Sequence, residues 1–204
     1  MRDFSQFNNV PDMKPINNRK IDIMGYADEL GEYFEIHGEI RDLRQYDSFN
    51  TMRGNIPFGE PLHYMQVMMR ANRDKEILDI TAKTHHAPFT RCCVGAADQY
   101  HILIGLKIAP GFKQKMRELL PANLQCTHIS ELLPQMATVL FQTIHAYDQK
   151  FKAHTPNSNG TNSNEIKKSD EKLAKYMLNS CHAFHENSDV VKTLMPAFYK
   201  GDKR

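Results

Sequence analysis

The apolar residues of this chain change period partway along. From residue 19 to residue 83 they recur at every second position, and beyond residue 111 they recur at every third and fourth. In "EYFEIHGEIRDL" (32–43), Phe34, Ile36, Gly38 and Ile40 share one side while Glu35, His37 and Glu39 share the other. That alternation belongs to a strand with one covered face. "KIDIMGY" (20–26) reads as the strand before it, joined across "ADELG". "NIPFGEP" (55–61) is a turn-rich lead into a third strand, "LHYMQVMMRA" (62–71), whose apolar side carries Met65, Val67 and Met69. "NRD" (72–74) connects to a fourth, "KEILDITAK" (75–83). Links this short make neighbours antiparallel, so this half of the chain predicts a β-meander with one face in need of cover.

The second half supplies the cover. "RCCVGAADQYHILIGLKI" (91–108) fits either a helix giving way to a strand or one buried strand. In "FKQKMRELL", after Gly111, residues Phe112, Met116, Leu119 and Leu120 fall on one helical face. The longest helix is predicted over 128–150, with Ile129, Leu132, Leu133, Met136, Leu140 and Ile144 as its stripe and Pro134 in the first turn or at a kink. Residues 165–184 predict a further helix with Ile166, Leu173, Met177 and Cys181 inward. The sum is an α+β fold, an antiparallel meander covered by C-terminal helices. Its expected organisation is a polar arm over 1–18, a single domain over 19–196 with an exposed linker at 152–165, and a tail at 197–204.

Composition narrows the class of function. With 26 basic and 24 acidic residues among 204, the net charge of +2 gives no footprint for nucleic acid, which needs clustered Lys and Arg. No apolar stretch approaches the ~18 residues of a membrane span. The segment "MRDFSQFNNVPDMKP" has no apolar signal core, so a cytoplasmic location with reduced thiols is expected. The four cysteines, Cys92, Cys93, Cys126 and Cys181, form no CxxC pair and no zinc-finger spacing.

One stretch concentrates chemistry. In "LQCTHISELL" (124–133) Thr127 is a plausible helix N-cap, which puts Cys126 beside the positive end of the helix dipole, where thiolate is favoured. Cys126 is therefore expected to be the most acidic of the four thiols. His128 and Glu131 are one helical turn apart and share a face. Cys126, His128 and Glu131 together offer soft, intermediate and hard ligands, as a divalent metal site or as an activated thiol. The alternative is a packed sulfur, a satisfied histidine and a first-turn acid. On the meander, Asp42 has the parity of Phe34, Ile36 and Ile40, and His63 that of Met65, Val67 and Met69, so both point inward. Inward polar groups must be paired. Asp42 can orient His63 as a carboxylate orients a catalytic or metal-bound imidazole, or the two close a strand end.

Arg19, Asp42, "GEPLHYM" (59–65), Cys92 or Cys93, "GF" (111–112), "CTHISELL" (126–133), Cys181 and "VVKTLMP" (190–196) make up a pattern. It resembles that of a bacterial family catalogued as a domain of unknown function. Tyr64 stands where that family usually has an acidic residue, and Gln125 where it has glycine. The resemblance implies a bacterial source and a place among genes for the catabolism of aromatic or related organic acids. It also implies that His63, Cys126, His128 and Glu131 belong to the family's own pattern.

Two functions follow as expectations. The first is a small-molecule enzyme with Asp42 and His63 as catalytic residues, Cys126 as a catalytic nucleophile or a metal ligand, and His128 and Glu131 as metal ligands or polar contacts to substrate. Arg70 and Arg91 would bind an organic acid's carboxylate. The second is a non-enzymatic accessory protein that binds a metal or a small ligand.

Overall fold

The computed structural model describes residues 12–152 and 177–201. The chain divides into two units, Met1–Ala153 and His154–Arg204. The first opens with β1 (Asn17–Ala27) and β2 (Tyr33–Arg44), continues through a small hairpin of β3 (Ser48–Asn50) and β4 (Gly54–Ile56), and returns with β5 (Pro61–Asn72) and β6 (Ile77–His86). The four long strands form one antiparallel sheet in the order β1-β2-β5-β6, the expected meander. The hairpin leaves no mark in the sequence pattern, because three residues per strand are too few to display a period. A turn closes the first link, where Asp28 Oδ1 accepts the backbone N–H groups of Glu32 and Tyr33, each at 2.8 Å.

Helices follow on the inner face. They are α1 (Thr90–Ala97), a 3-10 segment (Asp98–Leu103), α2 (Phe112–Leu119) and α3 (Thr127–Tyr147), which runs into a π-helical turn at Asp148–Lys152. The ambiguous stretch 91–108 therefore begins as helix. Its strand character shrinks to one bridge between Glu76 and Lys107. Gly105, at φ +85, breaks the chain between the two conformations.

The sheet's alternation determines the core. Phe34, Ile36 and Ile40 of β2 and Met65, Val67, Met69 and Ala71 of β5 are buried against Ile129, Leu132, Leu133, Met136 and Leu140 of α3. Helix α3 crosses β1 and β2 and reaches β5. Its close approach depends on two inward glycines. A Cβ at Gly38 would lie 2.8 Å from Met136 Sδ, and one at Gly25 would collide with Thr143 Oγ1. Pro134 lies inside α3, in its second turn rather than its first. Among the described residues no helix is long and apolar enough to cross a membrane.

In the second unit, Ser188 caps α4 (Asp189–Leu194) by accepting the N–H of Val191 at 3.1 Å. Val191 and Met195 are buried there against Leu178, Phe184, Phe198 and Tyr199. The expected linker beyond residue 152 and most of the expected helix at 165–184 lie outside the described residues. Cys181, expected inward, is instead exposed at the start of a 3-10 turn (His182–Phe184) rather than on a helix face.

Candidate functional site

Strand register builds the first half of the site. Arg19 of β1 faces Asp42 of β2, and Asp42 faces His63 of β5, so three cross-strand neighbours form a row on the inner face. Immediately beyond Asp42 the β2–β5 register slips, a bulge of the kind that often borders working sites. The first turn of α3 supplies the second half by placing His128 and Glu131 over the row.

Asp42 is the centre. Arg19 grips its carboxylate with both sides of the guanidinium, Nε to Oδ1 at 2.6 Å and Nη2 to Oδ2 at 2.8 Å. His128 Nε2 meets Oδ2 at 2.9 Å. His63 Nδ1 lies 3.1 Å from the same oxygen. It lacks the alignment of a hydrogen bond and is a buried nitrogen without a hydrogen-bond partner. Such a group costs about 1–3 kcal/mol. The two imidazole rings lie 4.0 Å apart at their centroids, inclined by 31°. Arg19 Nη1 also reaches Glu131 Oε2 at 2.8 Å, so Glu131 holds the arginine rather than a histidine.

The other nitrogen of His128 faces sulfur, with Nδ1 4.0 Å from Cys126 Sγ. Cys126, not Thr127, is the N-cap residue of α3, and its side chain makes no capping bond. The hydroxyl of Tyr100 secures this end instead. It accepts the N–H of Cys126 at 3.0 Å, lies 2.8 Å from the Cys126 carbonyl as donor, and meets Ser130 Oγ at 2.8 Å. Cys126 is buried at 8% exposure, whereas Cys92 and Cys181 are exposed.

Protonation follows these contacts. Burial alone would raise the Asp42 carboxyl, but the Arg19 guanidinium and then His128 hold it below the usual carboxylate value. Burial, helped by the neighbouring His128, pushes His63 down to about 4 against the pull of Asp42. His128 is raised, by Cys126 first and by Asp42 after the opposing effect of burial. Burial works to raise the Cys126 thiol, yet His128 and the backbone N–H groups of Ile129 and His128 bring it below the ordinary thiol value. Cys93, by contrast, is raised by burial.

The remaining expected residues lie elsewhere. Arg70 is on the outer face of the sheet, stacked over Tyr33 at 5.0 Å, and lines a hollow of about 320 Å³ with Tyr26 and His37. Arg91 is exposed on α1, which packs on β6. Neither joins the row at Asp42. Two participants fall outside the set of site residues that the sequence suggests. Arg19 has the parity of Ile21 and Ile23 and pairs with Asp42 in register, a signal that pairing the strands residue by residue would expose. Tyr100 lies in the ambiguous stretch 91–108 and carries no sequence signal.

A family model described as "Protein of unknown function (DUF2889)" matches residues 17–142, which hold every member of this cluster. No curated protein and no solved structure matches the chain.

Proposed function

The chain belongs to the DUF2889 family of proteins of unknown function, and from that premise we propose that it is a small-molecule enzyme with Cys126 as its nucleophile. One observation carries the reading. The Cys126 thiol, the His128 imidazole, the Asp42 carboxylate and the Arg19 guanidinium stand in a single line of contacts. A thiol, a base and a carboxylate that orients the base are the parts nucleophilic acyl transfer needs.

With its proton on Nε2, donated to Asp42, His128 turns the lone pair of Nδ1 toward the sulfur. It takes the thiol proton, and the thiolate attacks an electrophilic carbonyl carbon. The same proton then goes to the leaving group. His63 stands beside this line, its ring 4.0 Å from that of His128. Glu131 sets Arg19, and through it Asp42. The substrates that suit this chemistry are esters or thioesters of small aromatic or related organic acids. A reducing compartment such as the cytoplasm suits a working thiol.

Incubation with 4-nitrophenyl acetate and a benzoyl thioester, followed by peptide mass analysis, tests the reading. An acyl group is expected on Cys126, absent in Cys126→Ser and formed at least about ten-fold more slowly in His128→Gln. Acylation confined to Cys92 or Cys181 would contradict it. Thermal stabilisation by organic acids with no acyl adduct would favour the accessory-protein reading instead.

A further inference from the structure

We propose that Asp42, His63 and His128 form a three-ligand site for one divalent cation of the zinc class. This rests on the reading of the cluster as a working site and names a cofactor for it. The side of His128 that matters here is the one facing away from the thiol.

Two imidazole nitrogens converge on one carboxylate oxygen, His128 Nε2 at 2.9 Å and His63 Nδ1 at 3.1 Å from Asp42 Oδ2. One donor atom from each of the three residues lies within 4.8 Å of the others. Ligands held about 2.1 Å from a tetrahedral ion stand roughly 3.4 Å apart, so a small opening of the cluster seats one. Oδ2 already accepts from Arg19 Nη2 and His128 Nε2, which occupies its two lone pairs, and His63 Nδ1 is left without a hydrogen-bond partner. A cation bound by the lone pairs of both rings removes that conflict.

The surroundings fit a metal as well. Arg19 orients the carboxylate with Nε on Oδ1 and Nη2 on Oδ2, so that Oδ2 faces the rings while it also accepts from the guanidinium. Glu131 offsets the arginine's charge. His128 turns its second nitrogen to Cys126, the outer contact that fixes the tautomer of a metal-bound imidazole. With Nε2 on the cation the proton stays on Nδ1, so in the metal-loaded protein His128 stabilises a Cys126 thiolate by donating to it, and the general-base role of His128 belongs to the metal-free protein. Two nitrogens and one oxygen favour zinc, iron(II) or cobalt(II) over calcium or magnesium. Three protein ligands leave a position open, as in catalytic rather than structural sites. This set differs from Cys126, His128 and Glu131. The sulfur sits on the opposite side of the His128 ring, and Glu131 is occupied by Arg19.

The full chain, stripped by chelator and titrated with Zn²⁺ alone by calorimetry and with Co²⁺ by visible absorption, provides the test. One equivalent of each ion is expected to bind, with a higher unfolding temperature. Affinity should fall at least about hundred-fold in His63→Gln and in His128→Gln, and persist in Cys126→Ser and Glu131→Gln. Circular dichroism confirms that each variant is folded, and if one histidine variant is not, the other decides. No uptake by the parent chain would overturn the proposal. So would uptake unchanged in the histidine variants, or uptake lost in Cys126→Ser. Metal uptake without acylation of Cys126 would count only against the thiol reading, and acylation without uptake only against this one.

Discussion

Chelator-treated Asp42→Ala is expected to unfold about 2–4 kcal/mol more easily than the parent chain in urea. The carboxylate receives two hydrogen bonds from Arg19 and one from His128, and its side chain is only 8% exposed. Removing one end of a buried ion pair costs about 3–5 kcal/mol when the other end is buried too. Arg19 is 40% exposed and keeps Glu131, so the expected cost is shifted down to about 2–4 kcal/mol. His128 loses its orienting partner in the same step. Asp42→Asn retains one acceptor oxygen and should cost less. A loss below about 0.5 kcal/mol, the range of an ordinary surface change, would mean that the carboxylate does not organise this end of the sheet.

Acid should destabilise the metal-free protein well before its carboxylates protonate. His63 sits near 4 in the folded chain, against an ordinary value near 6.5. Between those values the unfolded chain binds more protons, so stability falls as pH falls. Each pH unit across that window is worth about 1.4 kcal/mol, and the whole window carries on the order of 3 kcal/mol. The charged neighbours act at other pH values. His128 is raised, so its contribution is fully present below its unfolded value and is lost as pH rises through its folded one. Asp42 is lowered, so its contribution holds above the ordinary carboxylate value and is lost as pH falls through the folded one. Arg19 stays charged throughout. Urea titrations with chelator present should therefore find maximal stability near pH 6.5 and a decline toward pH 4. His63→Gln should flatten that decline. An unchanged slope in His63→Gln would place the acid sensitivity elsewhere.

Much of the frame is legible in the sequence because strands and helices repeat with known periods. Parity alone turns Asp42 and His63 inward, and period alone identifies the buried stripe of α3 from Ile129 to Leu140. What period cannot show is which strand position meets which helical turn. His128 therefore reads as a partner of Glu131, its neighbour along the helix, whereas in the fold its partner is Asp42, 86 residues away. Glu131 in turn belongs to Arg19, across 112 residues. The N-cap of α3 falls one residue before the expected Thr127 for a similar reason. Thr127 has the preferred side chain, but the Tyr100 hydroxyl takes over the capping from outside the helix, so local preference no longer decides. Charge alone suggests Arg70 as a substrate ligand, yet its parity, opposite to that of Met69 and Ala71, already puts it on the outer face.

The most direct measurement concerns the line from Asp42 through His128 to Cys126. The rate at which iodoacetamide alkylates Cys126 at pH 7, followed by peptide mass in chelator-treated protein, reports whether His128 acts on that sulfur. The urea-unfolded chain serves as the reference for an unassisted thiol. Relative to the parent chain, His128→Gln should react at least about ten-fold more slowly at Cys126, with Cys92 and Cys181 unaffected. Equal rates at Cys126 in the two folded proteins would contradict the account and leave a packed sulfur at the start of a helix.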